Sequence, residues 1–223
     1  MPFTLFQPEA PPTRRATLAS AAPTASAAGS PSARHLVRYA AHDPGRAAAE
    51  QRVREVFLAR YGATVQQFAP VLVGLHDADE RLLAVAGYRP ADTGPLFLER
   101  YLSQPIQTLL ADGTTPAPSR QRIVEVGHLA ALQAGEGRAL IARLGPLLLD
   151  SGFDWVVGTL TQELRSLFLR LGVATRALGV ADPAVLSPDE AAAWGSYYDH
   201  RPVVLAGSLQ AARQRLQARG VWQ

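Results

Sequence analysis

The chain has 223 residues, 48% of them hydrophobic, which suffices for one substantial core or one domain with a tail rather than two full domains. It contains no cysteine, which excludes disulfide frameworks, thiolate zinc sites and cysteine nucleophiles and leaves the cytoplasm as the default compartment. The net charge is +3 and all 22 basic residues are arginine, scattered and mostly close to an Asp or Glu. The clustered face that nucleic acid requires is therefore missing, and no apolar run approaches the ~18 residues of a membrane-spanning helix.

Residues 1–33 are rich in Ala, Pro, Ser and Thr and read as a disordered leader. Arg14-Arg15 invites a twin-arginine export reading, but Pro23 and the surrounding Thr and Ser make a poor apolar signal core. Residues 34–223 form a single domain. His35 to Tyr39 is a predicted first strand, and Asp43-Pro44 caps a predicted helix that ends near Tyr61 and buries Ala48, Val53, Val56, Phe57 and Tyr61. Phe68 to His76 and Arg81 to Tyr88 are predicted as a hairpin turning at Asp77-Ala-Asp79. One or two short helices interrupted by Pro105 follow between Leu96 and Leu110, then a loop from Ala111 to Pro118.

A β-branched strand runs from Arg122 to Ala131, followed by a helix from Gly137 to Ser151 with Leu140, Ile141 and Leu144 on its buried side. Strand Trp155 to Leu160, helix Gln162 to Leu171 and strand Thr175 to Val180 come next. A polar, aromatic loop at Trp194 to His200 leads to strand Val203 to Ala206 and an amphipathic helix from Leu209 to about Arg219. This order predicts an α/β (α+β) fold: a mixed, mostly antiparallel central sheet with helices on both faces.

The stretch from Arg122 to Arg138 concentrates the chemistry. Strict alternation puts Ile123, Glu125, Gly127 and Leu129 on one face and Arg122, Val124, Val126 and His128 on the other. A carboxylate in an apolar central strand is costly to bury unless paired or functional. Glu125 is either a general base with its pKa raised by burial, or half of a structural ion pair with Arg122 or Arg165. Gly127 suggests a bulge that parts the strand from its neighbour and frees amides, from Gly127 to Leu129, to hold an acyl carbonyl. His128 is a catalytic candidate, though a lone His among apolar neighbours more often packs. Gln133-Ala-Gly-Glu-Gly-Arg138 offers Gly135, Gly137 and Arg138 at a helix start for a pyrophosphate. Trp194-Gly-Ser-Tyr-Tyr198 either lines a ligand pocket or plugs one end of the core. The histidines show no metal-ligand spacing, and no Gly-x-Ser-x-Gly elbow is present.

At these residues the chain resembles the thermostable hemolysin family. Arg122-Ile-Val-Glu-Val-Gly-His-Leu-Ala130 resembles its strand motif, and Leu164-Arg165 with Phe168-Leu-Arg-Leu-Gly172 its following helix. Trp194-Gly-Ser-Tyr-Tyr198 with Pro202-Val-Val-Leu-Ala-Gly207 resembles its closing signature, and Tyr101-Leu with Gln104-Pro-Ile-Gln107 fits the same pattern. Members usually carry Asn where this chain has His128. The family is similar to the acyl-CoA N-acyltransferase superfamily, whose usual loop is Gln/Arg-x-x-Gly-x-Gly/Ala; here Gln133 stands only two residues before Gly135. The resemblance implies an acyltransferase that moves an acyl group from acyl-CoA, or from the phosphopantetheine arm of an acyl carrier protein, to a small amine. It assigns catalytic roles to Glu125, His128, Tyr197 and Tyr198, donor binding to Gly127, Leu129, Gly135, Gly137 and Arg138, and substrate binding to Arg122, Arg165 and Trp194, with no metal. The competing expectations are a membrane-active lytic protein, for which the last helix is the single long amphipathic segment, and a non-catalytic binding module on the same fold.

Overall fold

The computed structural model describes residues 34–111 and 116–218. The expected leader, part of the expected loop after Ala111 and the end of the expected last helix lie outside the described residues. Seven strands form one sheet: β1 (His35–Tyr39), β2 (Val71–His76), β3 (Leu82–Pro90), β4 (Ile123–Ala131), β5 (Trp155–Leu160), β6 (Arg176–Val180) and β7 (Val203–Ser208). Their spatial order is β1-β2-β3-β4-β5-β7-β6. Every neighbouring pair is antiparallel except β4 and β5, which run parallel. The mixed, mostly antiparallel sheet expected from the element order is the one observed.

Helix α1 (Arg46–Tyr61) lies on one face, with Val53, Phe57 and Tyr61 packed against Leu72, Val85 and Ala130 of the sheet. Asp43-Pro44 does not cap it. The N-cap is Gly45, and Asp43 instead accepts a hydrogen bond from the Ala40 amide (2.8 Å), closing the turn before the helix. Arg46, 8% exposed, holds the helix start to the sheet by donating to the carbonyls of Tyr39, Ala69 and Pro70 while pairing with Glu50. A buried guanidinium is tolerable only when its donors are satisfied in this way.

The same face continues through the segment between β3 and β4, which holds a 3-10 turn at Phe97–Tyr101 and the short helix α2 (Ile106–Leu110). Leu98 and Ile106 there pack on Ile123, Val157 and Val204. The other face carries α3 (Ala134–Asp150), α4 (Gln162–Leu171) and the last helix, joined through Leu140, Leu144, Phe168, Leu171 and Leu216. A helix not foreseen in the sequence, α5 (Pro188–Ala193), is capped by Ser187 with Glu190 reaching back, a Ser-x-x-Glu box that was legible. The last helix, α6 (Leu209–Ala218), buries Leu209, Ala212 and Leu216 inside the domain, so the apolar face of the expected amphipathic segment is used for packing. Among the described residues no helix is long and apolar enough to cross a membrane.

Candidate active site: a parted strand pair

β4 and β5 pair only from Ile123↔Trp155 to Glu125↔Val157. Beyond Glu125 the β5-facing edge of β4 has no strand partner among the described residues. At the parting, the Val126 carbonyl oxygen lies 2.6 Å from where a Cβ of Gly158 would stand, so the two strands approach this closely only because residue 158 lacks a side chain. On the β3 side the register moves from Gly87↔Gly127 to Val85↔Ala130, which leaves one extra residue in β4. The expected bulge is therefore present, and its consequence is a correction. His128 takes φ 51°, and the extra residue swings it from the Val124/Val126 face to the face of Glu125, while Leu129 joins Val124 and Val126 against α3. The left-handed backbone at 128 is one that Asn and His tolerate better than most residues, which gives a physical reason for Asn at this place in the family pattern.

Glu125 does not form the ion pair considered for it. Its Oε2 accepts from the Phe97 amide and its Oε1 from the Leu98 amide, each at 3.0 Å, so the start of the 3-10 turn cradles the carboxylate. Arg122 lies at the start of the strand and pairs with Asp154 through two contacts of 2.7 Å. Arg165 is half-buried on α4 and makes no side-chain hydrogen bond or ion pair to a described residue. Burial pushes the Glu125 carboxyl upward, while the two amides and the nearby Arg89 charge pull it back; burial prevails. The 3-10 turn is itself anchored. Glu99 meets Arg120 at 2.6 Å and 3.0 Å and accepts from the amides of Leu96 and Ile106, and Arg120 also donates to the Ala91 and Gly94 carbonyls.

His128 packs its ring against Phe57 and Phe68 and hydrogen-bonds the Gln67 carbonyl through Nε2 (3.1 Å). Its Nδ1 is buried without a partner among the described residues, against Gly87, where a Cβ would come within 2.9 Å of it. Desolvation lowers its pKa to about 4, so the ring is neutral at neutral pH and Nε2 is the donor.

The aromatic loop both closes the core and reaches the parting. Trp194 and Tyr197 pack on Phe57 and the α1 cluster, and Trp194 also meets Phe97. The Tyr197 hydroxyl donates to the Thr159 carbonyl (3.2 Å), two residues past the last paired residue of β5, while the Tyr198 hydroxyl shares a 2.6 Å hydrogen bond with that of Tyr101. Burial raises both loop phenols, which remain protonated. Bidentate pairing of Arg100 with Glu190 (3.0 and 3.1 Å) holds the loop against the 3-10 turn.

The glycine-rich segment is helical sooner than expected. α3 begins at Ala134 with Gln133 as N-cap, so Gly135 sits in its first turn rather than in a preceding loop, and Gly137 lies within the helix instead of opening it. The helix wins because Glu136 reaches back to the Gln133 amide (3.0 Å) and the helix body is buried, which outweighs the poor propensity of two glycines. Since β4 and β5 are parallel, α3 and α4 both begin at the end of the sheet where the strands part. Arg138, exposed, stands near one of these helix starts and Arg165 near the other, and neither side chain has a partner among the described residues. No atom beyond its chain neighbours comes within 4 Å of a Cβ placed at Gly127 or Gly135, so packing does not explain either glycine. Beneath the gap an apolar cavity of about 80 Å³ lies among Val126, Leu129, Leu144, Val156, Phe168 and Leu216. Among the described residues no group of three or more His, Asp or Glu could hold a metal.

Sequence reasoning missed Arg89, the register partner of Glu125, and the Glu99–Arg120 pair that anchors the 3-10 turn. The first is set by the register between β3 and β4, strands far apart in the chain, which no local pattern fixes. The second arises from a tertiary contact across 21 residues.

A mostly antiparallel sheet, a parallel β4–β5 pair that parts just before a bulge in β4, and helices starting where the strands part define an acyl-CoA N-acyltransferase-like fold. The chain belongs to the thermostable hemolysin family, whose model matches residues 39–213. Solved structures similar to it include FeeM, an N-acyl amino acid synthase from uncultured soil microbes (16% identity, TM-score 0.55, covering 82% of this chain and 95% of that one). The acyl-homoserine lactone synthase LasI is similar at 17% identity and TM-score 0.53, over 81% of this chain and 91% of LasI. BjaI, a CoA-dependent acyl-homoserine lactone synthase solved with SAM and isopentyl-CoA, is similar at 13% identity and TM-score 0.53, over 83% and 90%. No curated protein matches the sequence.

Proposed function

We propose that this protein is a cytoplasmic acyltransferase that moves an acyl group from a thioester to an amine. The observation that carries the reading is the parting of β4 from β5 immediately after a half-buried carboxylate, with open space at Gly127 on one face and an apolar cavity on the other. The thioester lies in the gap, its carbonyl near the unpaired edge of β4 at Gly127 to Leu129 and its chain in the cavity below. Cavity walls of Val, Leu, Ile and Phe suit an alkyl chain longer than acetyl. The donor's phosphate approaches the starts of α3 and α4, where Gly135 and Gly137 keep the surface low and Arg138 and Arg165 supply charge. Glu136 opposes it there with a carboxylate in the first turn, which favours a phosphopantetheine arm with one phosphate over the more highly charged CoA.

Glu125 takes the proton of the acceptor ammonium, directly or through one water. Each of its oxygens gives one lone pair to a backbone amide and retains another. The amine nitrogen attacks the thioester carbonyl carbon, the C–S bond breaks as the C–N bond forms, and the thiolate leaves with a proton from Tyr197 or Tyr198. The balance is thioester plus ammonium giving amide, thiol and one released proton. His128 acts here by position, since its neutral ring fixes the bulge that bends β4 away. Trp194, between Phe57 and Phe97, walls the acceptor side. Arg122, tied to Asp154 on the surface, is outside the reacting region.

The test is incubation of the full chain with acyl-CoAs of two to sixteen carbons, or the same acyl groups on carrier protein, together with an amine panel, followed by mass spectrometry. N-acyl products favouring chains longer than acetyl are expected. No thioester consumption with either donor contradicts the reading.

A further inference from the structure

Resting on the acyl-transfer reading for its chemistry, a second feature of the same face identifies the acceptor. Arg89 of β3 is the register partner of Glu125 of β4, and residues directly opposite in an antiparallel pair share a face. Opposite charges so placed ordinarily pair. Here they do not, because both oxygens of Glu125 are turned onto the Phe97 and Leu98 amides. Arg89, half-buried as a residue, makes no hydrogen bond or ion pair to any described residue.

The cation acts on Glu125 through its charge alone, and its donors are left to offer to an anionic occupant. The space for an occupant is adjacent. Gly127 stands two residues beyond Glu125 on the same face and diagonal to Arg89, and the place of its missing side chain is open. Phe97, whose amide holds Glu125, meets Trp194 at 6.2 Å between ring centroids. One face therefore presents a carboxylate to accept a proton, a planar cation to accept an anion, and open space beside them at Gly127.

We propose that the acceptor is an amino acid or close analogue, with its carboxylate held by Arg89 and its amine directed toward Glu125 and the thioester. Cβ atoms of opposite residues stand about 4.5–5.5 Å apart, a spacing that a molecule with amine and carboxylate on neighbouring atoms can bridge. The five donors of a guanidinium match a carboxylate in two parallel hydrogen bonds, which a lysine cannot reproduce. An amine without an anionic group would leave Arg89 unpaired in the closed complex. The ammonium gives its proton to Glu125, the carboxylate stays ionised, and the product is an N-acyl amino acid.

The experiment compares the twenty free amino acids with their carboxamides as acceptors for wild type, Arg89→Gln and Arg89→Lys, alongside calorimetric binding of the same compounds. Wild type is expected to bind at least one free amino acid and to prefer it over its amide by ten-fold or more in kcat/KM. In Arg89→Gln that preference collapses toward one, mainly through KM, and Arg89→Lys recovers it only in part. Equal use of acids and amides by wild type, no binding of any free amino acid, or an equal loss on both acceptor classes in Arg89→Gln overturns the proposal. Amino acids that bind through Arg89 without any N-acylation would instead overturn the acyl-transfer reading and leave this recognition standing.

Discussion

The Val126 carbonyl oxygen rests against the bare backbone of Gly158, 2.6 Å from the position of a Cβ that is not there, at the point where β4 and β5 separate. The contact sets how closely the strands converge before they part. Replacing Gly158 by Ala forces a clash with backbone rather than with a side chain that can rotate away. An overpacked core site typically loses 1–3 kcal/mol, so Gly158→Ala is expected to cost about 2 kcal/mol in urea denaturation.

Gly127 predicts the reverse combination. Its φ is not in the left-handed region and a side chain there meets no neighbour, so Gly127→Val is expected to change stability by less than about 1 kcal/mol, since a β-branched residue suits a strand. The valine fills the space assigned to the reacting groups, and acyl transfer falls ten-fold or more. Thermal unfolding and turnover measured on the same preparation check both halves.

His128 gives a prediction in pH. Its pKa is depressed to about 4 in the folded protein and is near 6.5 when unfolded, so the unfolded chain binds the extra proton between those values. Its contribution is complete above about pH 6.5 and is lost as pH falls through 4, by about 3 kcal/mol in all. Glu125, pushed upward, contributes with the opposite sign: its share is present at low pH and lost as pH rises through its folded value. Comparing wild type with His128→Asn at pH 7 and pH 4.5 isolates the histidine, and the variant is expected to lose less stability on acidification. Asn also accepts the φ of 51°, whereas His128→Val is expected to destabilise at every pH.

The Glu99–Arg120 pair predicts an effect at a distance. Arg120→Met removes the donors to the Ala91 and Gly94 carbonyls and leaves Glu99 only the Leu96 and Ile106 amides, and is expected to cost about 2 kcal/mol. Because Glu99 anchors the turn whose amides hold Glu125, kcat is expected to fall as well. Arg122→Met, which breaks the exposed pair with Asp154, serves as the control and leaves kcat near wild type.

Most elements were legible because their apolar periodicity survives in the fold: α1, the β2–β3 hairpin, β4, β5 and α4 fall within a few residues of expectation. Gly127 also pointed correctly to a bulge. The face of His128 was not legible, since one inserted residue inverts every side chain beyond it and strict alternation cannot foresee where the inversion starts. Nor were the partners of Glu125, which are backbone amides 27 and 28 residues away and carry no side-chain signature. α3 starts earlier than its glycines suggest because the Glu136 back-bond outweighs their poor helix propensity. The unpaired state of Arg89 could be recognised only once the carboxylate opposite was seen to be occupied.

The most direct test of the account is the pH dependence of kcat/KM for amine acylation in wild type and Glu125→Gln, with circular dichroism confirming that both are folded. Wild type is expected to show an acidic limb with an apparent pKa above the ordinary carboxylate range, as burial of Glu125 requires. Glu125→Gln should lose that limb and at least 100-fold in rate. An unchanged rate in the folded variant, or an identical limb in both proteins, would contradict the placement of acyl transfer at the parting of β4 and β5.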